Sequence, residues 1–131
     1  MKACLLVLVS LLLCIATKAQ TRPYSPFREY NGMLYVSGQL GVNKNAADTS
    51  FQAEVTQVFQ NIETILKSAG SGLPAVINVT VYLKDMATYE AFNKIYTQTF
   101  QPPYPARSCV AVSGLAAGAR LEVAVMAAKQ P

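Results

Sequence analysis

Arg107 and Glu122 are the residues of this chain best suited to chemistry, because each is a charge set into a strand-like run of small and apolar residues. Arg107 alternates with Cys109 and Ala111, and Glu122 with Ala124 and Met126, so a period of two puts each charge on a face expected to be dry. Charges in dry surroundings need partners. Two readings follow. The pair can be a structural salt bridge, or it can be a site in which the planar fork of Arg107 binds a substrate carboxylate and Glu122 handles a proton. Cys109 could in principle be a nucleophile, but no histidine or helix start is evident to lower its pKa, and a lone cysteine in an apolar strand is usually an inert core residue. By type alone, Tyr24, Ser37 and Asn93 are ordinary surface or turn residues.

Composition removes several chemistries. The chain has no histidine, which excludes Ser-His-Asp and Cys-His arrangements and takes away the commonest metal ligand. The seven scattered carboxylates offer no zinc-ligand spacing, and neither a phosphate-cradling loop nor a dinucleotide fingerprint is present. No metal and no cofactor are expected.

The first nineteen residues read as a secretory signal peptide: Lys2 precedes an apolar run from Ala3 to Ala16, then Thr17-Lys18-Ala19. The run is too short to span a bilayer as a helix. Cleavage after Ala19 is expected, leaving one domain over 20–131 in the periplasm or outside the cell. Losing Lys2 and Lys18 from eleven basic residues leaves nine against seven acids, a net charge of +2. The remaining Lys and Arg are single and scattered, with no stripe to follow a nucleic-acid backbone. Cys4 and Cys14 leave with the signal, so Cys109 has no intrachain disulfide partner.

The elements that must carry Arg107 and Glu122 follow from patterning. Arg28 to Gly41 reads as a hairpin turning at Asn31-Gly32. Phe51, Val55, Val58, Phe59, Ile62, Ile65 and Leu66 form one apolar helical stripe, opened by a Thr49/Gln52 capping box and closed near Lys67 and Gly70. Ala75 to Leu83 reads as a strand inside the sheet. Asp85 caps a second helix whose apolar face is Tyr89, Phe92, Ile95, Tyr96 and Phe100, ended by Pro102, Pro103 and Pro105. Strands over Ala106–Val112 and Arg120–Ala127, joined by the Gly114–Gly118 loop, complete an α+β order ββαβαββ. Two helices cover one face of such a sheet, yet the last two strands are apolar at both alternations. The second face is expected to be covered by another subunit.

Pro105-Ala106-Arg107-Ser108-Cys109-Val110 resembles the signature of the RidA/YjgF family of reactive-intermediate deaminases, earlier labelled L-PSP endoribonucleases. Arg22-Pro23-Tyr24-Ser25 is similar to the family's Gly-Pro-Tyr-Ser segment, with Arg22 replacing the glycine, and Val36-Ser37-Gly38-Gln39 to its Ser-Gly-Gln turn. Val81 to Asp85, Tyr89 to Phe100 with Asn93, and Leu121-Glu122-Val123 extend the resemblance over the chain in order. It implies a chorismate-mutase-like (YjgF-like) fold with two helices on one face of the sheet, and a homotrimer around a central barrel with clefts between subunits. It further implies that Arg107 grips a substrate carboxylate and Glu122 positions and activates water. Tyr24, Ser37, Gly38, Asn93 and the backbone of Cys109 would line the pocket. The implied reaction is hydrolysis of 2-aminoacrylate or 2-iminobutanoate to the 2-keto acid and ammonia. Alternatives are a trimer that binds small carboxylates or acts as a chaperone-like surface without catalysis, and an endoribonuclease; the modest charge and missing histidine disfavour the last.

Overall fold

The computed structural model describes residues 22–130; the expected signal segment and the Ala19 cleavage point lie outside them. Strands β1 (Phe27–Tyr30) and β2 (Met33–Gln39) form the hairpin. Its turn residues Asn31 and Gly32 have φ of 49° and 74°, the left-handed pair that suits a two-residue hairpin loop. Helix α1 (Phe51–Ser68), β3 (Val76–Leu83), α2 (Tyr89–Thr99), β4 (Ala106–Ala111) and β5 (Leu121–Ala128) follow. The expected order ββαβαββ is the observed one, built as a five-stranded sheet in the order β1-β2-β5-β3-β4, with β3 and β4 parallel and the other pairs antiparallel.

The ends of α1 show how closely local chemistry sets the frame. Ser50, not Thr49, is the cap: its side chain accepts the Ala53 N–H at 3.1 Å, a bond worth about 1 kcal/mol at a helix start. The Thr49/Gln52 box therefore does not form, and the Thr49 carbonyl is taken by Arg120 Nη2 instead. At the other end Gly70, with φ of 77°, lets the Ser71 N–H reach the Leu66 carbonyl and its own N–H the Lys67 carbonyl, the paired closure that satisfies the last carbonyls. Asp85 caps a short 3-10 turn, Met86–Thr88, through the Ala87 N–H, and that turn leads into α2.

Both helices pack on one face. Leu34, Val79, Val81, Leu83, Leu121 and Val123 are fully buried beneath Val55, Ile62 and Leu66 of α1 and Phe92 of α2. Phe59 bridges the helices, edge-on to Phe100 with ring centroids 5.6 Å apart. On the other face Tyr35 and Val110 are 43% and 47% exposed, paired across the sheet with Met126 and Tyr82. The face without helices is thus apolar and open, as the alternation implied.

Candidate functional site

Register decides where the two charges point. Arg107 stands opposite Val79, which stands opposite Val125, both buried under the helices. Glu122 stands opposite Tyr82 on the open face. Partners across strands share a face, and residues an odd number apart do not. Arg107 and Glu122 therefore lie on opposite faces of the sheet, and the intrachain salt bridge is not formed: the ion pairs among the described residues are Lys67–Glu63, Arg120–Glu54 and Lys129–Glu29.

Arg107 is held by the face of α2. Its Nη1 donates to Asn93 Oδ1 at 2.9 Å and its Nη2 to the Tyr89 hydroxyl at 3.1 Å. The guanidinium carbon lies 4.5 Å from the centroid of the Tyr96 ring, a stacking worth about 0.5–2 kcal/mol. No carboxylate neutralises it among the described residues. The fork borders a hollow of about 370 Å³ whose other walls are Asn93, Tyr96, Thr97, Tyr104 and Pro105. Burial pushes the Tyr96 phenol upward in pKa, against the pull of Arg107, so it remains protonated. Cys109, two residues along the same strand face, packs against the core; burial raises its thiol pKa and Arg107 only partly offsets this. That is the environment of an unreactive thiol.

Glu122 faces a second hollow, of about 840 Å³, bordered by Tyr24, Ser37, Gly38 and Ala116. β2 shifts register between Val36 and Gln39, and such a bulge re-aims side chains beside a site. Gly38 sits so close to the Glu122 carboxylate that a Cβ there would collide with it. The Ser37 N–H donates to the Pro26 carbonyl at 2.9 Å and its hydroxyl to the Ser25 carbonyl at 2.6 Å. Those bonds tie the segment carrying Tyr24 over the hollow.

The seven expected site residues thus fall into two groups. Tyr24, Ser37 and Gly38 gather around Glu122; Asn93 is bonded to Arg107 and Cys109 is its neighbour along β4. Within one chain the sheet separates the two groups, the guanidinium group on the helix-covered face and the carboxylate group on the open face. The hydroxyl of Tyr89 and the ring of Tyr96 were legible only as apolar helix positions, and their service to Arg107 was missed. Glu54, buried on α1 with its partner Arg120, was missed too; a polar residue inside the apolar stripe was its one signal.

Residues 15–129 match the family model described as endoribonuclease L-PSP. The protein HMF1 of Saccharomyces cerevisiae is 32% identical over 120 residues, spanning 90% of this chain and 93% of that protein. Among solved structures, RidA from an Antarctic Psychrobacter superposes with a TM-score of 0.77 at 31% identity, covering 84% of this chain and 91% of its own. TdcF of E. coli, solved with bound serine, superposes with a TM-score of 0.77 at 28% identity, covering the same shares.

Proposed function

We propose, from the premise that this chain belongs to the YjgF/RidA/RutC (L-PSP) family, that it is an exported homotrimeric deaminase of 2-imino acids and their enamine tautomers. The observation that carries the reading is the pair of half-sites: a preoriented guanidinium free of carboxylate on one face and a carboxylate over a hollow on the other. Because Arg107 lies on β4, an edge strand of the sheet, a neighbouring subunit that covers the open face with its β4 edge set against the Glu122 hollow brings the Arg107 half of one chain to the Glu122 half of the next. It also covers the apolar surface that the helices leave bare.

The reaction then uses only these residues and water. The fork of Arg107 holds both oxygens of the substrate carboxylate in one plane, which fixes the imine carbon. Glu122 orients a water, takes its proton as the oxygen adds to that carbon, and passes that proton to the imine nitrogen, which leaves a neutral carbinolamine and a restored carboxylate. The carbinolamine collapses as Glu122 takes its hydroxyl proton and delivers one to the amino nitrogen: the C=O bond forms, the C–N bond breaks, ammonia departs, and the 2-keto acid remains. An imine is already electrophilic, so no electron sink is required of the protein. Substrates of this class are 2-aminoacrylate and 2-iminobutanoate.

The purified chain should release ammonia from iminobutanoate generated in the same vessel by an amino-acid dehydratase, faster than water alone does. Absence of any acceleration would refute catalysis. A second reading, a trimer that holds small carboxylates without turnover, is favoured by the serine bound to the TdcF relative, and saturable binding of serine without ammonia release from the imine would select it. Export rests on the Lys2, apolar run and Ala19 pattern. Protein made in a Gram-negative host should begin at Gln20 by mass spectrometry, and an intact Met1 in the cytoplasmic fraction would refute it.

A further inference from the structure

Glu54 is the one buried charged residue among the described residues, with 7% of its surface exposed, and the proposed reaction does not use it. Both its oxygens go to a single residue. Oε1 accepts the backbone N–H of Arg120 at 2.8 Å and Oε2 accepts Arg120 Nε–H at 2.7 Å, while Arg120 Nη2 donates to the Thr49 carbonyl at 2.7 Å. On the opposite side the Arg120 carbonyl accepts the Lys84 N–H at 2.8 Å. Residue 120 is therefore gripped at its N–H by α1 and at its C=O by the end of β3, two positions before Glu122.

The same row of α1 holds the surroundings of the Glu122 hollow. Gln57 Nε2 donates to Asn61 Oδ1 at 2.8 Å, and Asn61 Nδ2 donates to the Leu40 carbonyl at 2.9 Å. Glu54, Gln57 and Asn61 are spaced three and four apart, so they share one helix edge. Gly41 lies against the backbone carbonyl of Glu54, where a Cβ would not fit. Ahead of Arg120, Ala117 and Gly118 have φ of 56° and 71°, and an alanine holds that conformation only where its surroundings impose it. Ala116, at the start of that turn, borders the Glu122 hollow.

We propose that Glu54, acting through Arg120, is a positioning residue that fixes the Glu122 carboxylate and the Ala116 edge of its hollow. The proposal rests on the reading of Glu122 as the proton-handling group. A pair that served stability alone would not need to grip the backbone of the residue that launches β5.

Replacing Glu54 by Ala in the mature trimer should lower kcat at least about tenfold while KM moves less than about threefold, because alignment is lost and the carboxylate fork on the other half-site is untouched. Glu54→Gln keeps an oxygen for the Arg120 N–H and should recover most of that loss. A Glu54→Ala trimer with a lowered Tm and wild-type kcat would overturn the proposal. If Glu54→Ala does not fold, Arg120→Lys carries the same kinetic test, since it retains the backbone bond and loses the forked one. Crystal structures decide the placement independently of turnover: the variant's Glu122 carboxylate should move by about 1 Å or more relative to Gly38, a displacement sufficient to impair catalysis. A superposable Glu122 would sink the clamp. Failure of the deaminase reading has a different signature, namely a wild-type protein that releases no ammonia or a Glu122→Gln variant that turns over normally, and the crystallographic comparison still judges Glu54.

Discussion

Arg107 stands opposite buried Val79 on the helix-covered face of the sheet, and Glu122 stands opposite Tyr82 on the open face. A single chain cannot bring the two together without unpairing strands, but two chains can, one contributing each face. This predicts complementation. Subunits carrying Arg107→Ala and subunits carrying Glu122→Gln should each be nearly inactive as pure trimers. Co-refolded in equal amounts, they should regain about one quarter of wild-type activity per site, because with random assortment half the subunits supply a good Arg107 and half of their neighbours a good Glu122. No recovery in mixed trimers of the right mass would place the site within one chain; a monomeric mass by light scattering would remove the assembly itself.

The fold was legible because its signals are local and redundant. Asn31-Gly32, the three- and four-residue spacing from Phe51 to Leu66, and the prolines after Phe100 each specify an element without help from the rest. The alternation in β4 and β5 also assigned each charge to a face, yet could not tell which face was which, since both strands are apolar on both sides. That required the register of β3 with β4 and β5. The Ser50 cap was displaced from the expected Thr49 because the Thr49 carbonyl is claimed by Arg120, 71 residues away. Likewise the Tyr89 hydroxyl and the Glu54 carboxylate act through contacts that no local pattern encodes.

Gly38→Ala should separate catalysis from stability. The new Cβ would meet the end of the flexible Glu122 side chain, which can swing aside, and not backbone. Folding stability should therefore stay within about 1 kcal/mol of wild type, and the loss of glycine's unfolded-state freedom works in the variant's favour. The carboxylate must leave its place, so kcat should fall at least about tenfold. Gly41→Ala is the contrasting case, because its Cβ would press on the Glu54 backbone carbonyl and should cost about 1–3 kcal/mol in denaturant titration. A Gly38→Ala enzyme with undiminished turnover would mean that the position of Glu122 is immaterial.

Cys109 should behave as a partly buried thiol with one cation nearby. Burial raises its pKa and Arg107 lowers it, the first effect being the larger. Only the thiolate alkylates, so the rate with iodoacetamide should be slower at neutral pH than for a small free thiol and should climb with a midpoint above the ordinary thiol range. Removing the cation in Arg107→Ala takes away the lowering effect, moving the midpoint further up and the rate at fixed pH further down. Fast alkylation at neutral pH would identify an activated thiol and return Cys109 to candidacy as a nucleophile.

Arg107→Lys will be far from conservative. Asn93 Oδ1 and the Tyr89 hydroxyl each take one terminal nitrogen of the guanidinium, and the Tyr96 ring lies against its plane; with five donors in a rigid fork, N–H groups remain for both oxygens of a carboxylate. An ammonium on a flexible stem satisfies some of these partners as a point charge but cannot hold a carboxylate in a plane, so the imine carbon drifts from the water on Glu122. Truncating one member of a desolvated charge pair costs about 2–5 kcal/mol, and 1.4 kcal/mol is about a factor of ten. Arg107→Ala should accordingly lower kcat/KM at least about thirtyfold, with Arg107→Lys losing much of the same. Glu122→Gln should lower kcat while largely sparing KM, since it removes proton transfer and not carboxylate binding. The two residues are thus assigned different work, readable in one set of steady-state measurements on iminobutanoate. An Arg107→Lys enzyme running at the wild-type rate, or a Glu122→Gln enzyme that binds poorly but turns over normally, would mean that the half-sites do not meet around this substrate and that the reaction, if the protein performs it, is carried out elsewhere on the molecule.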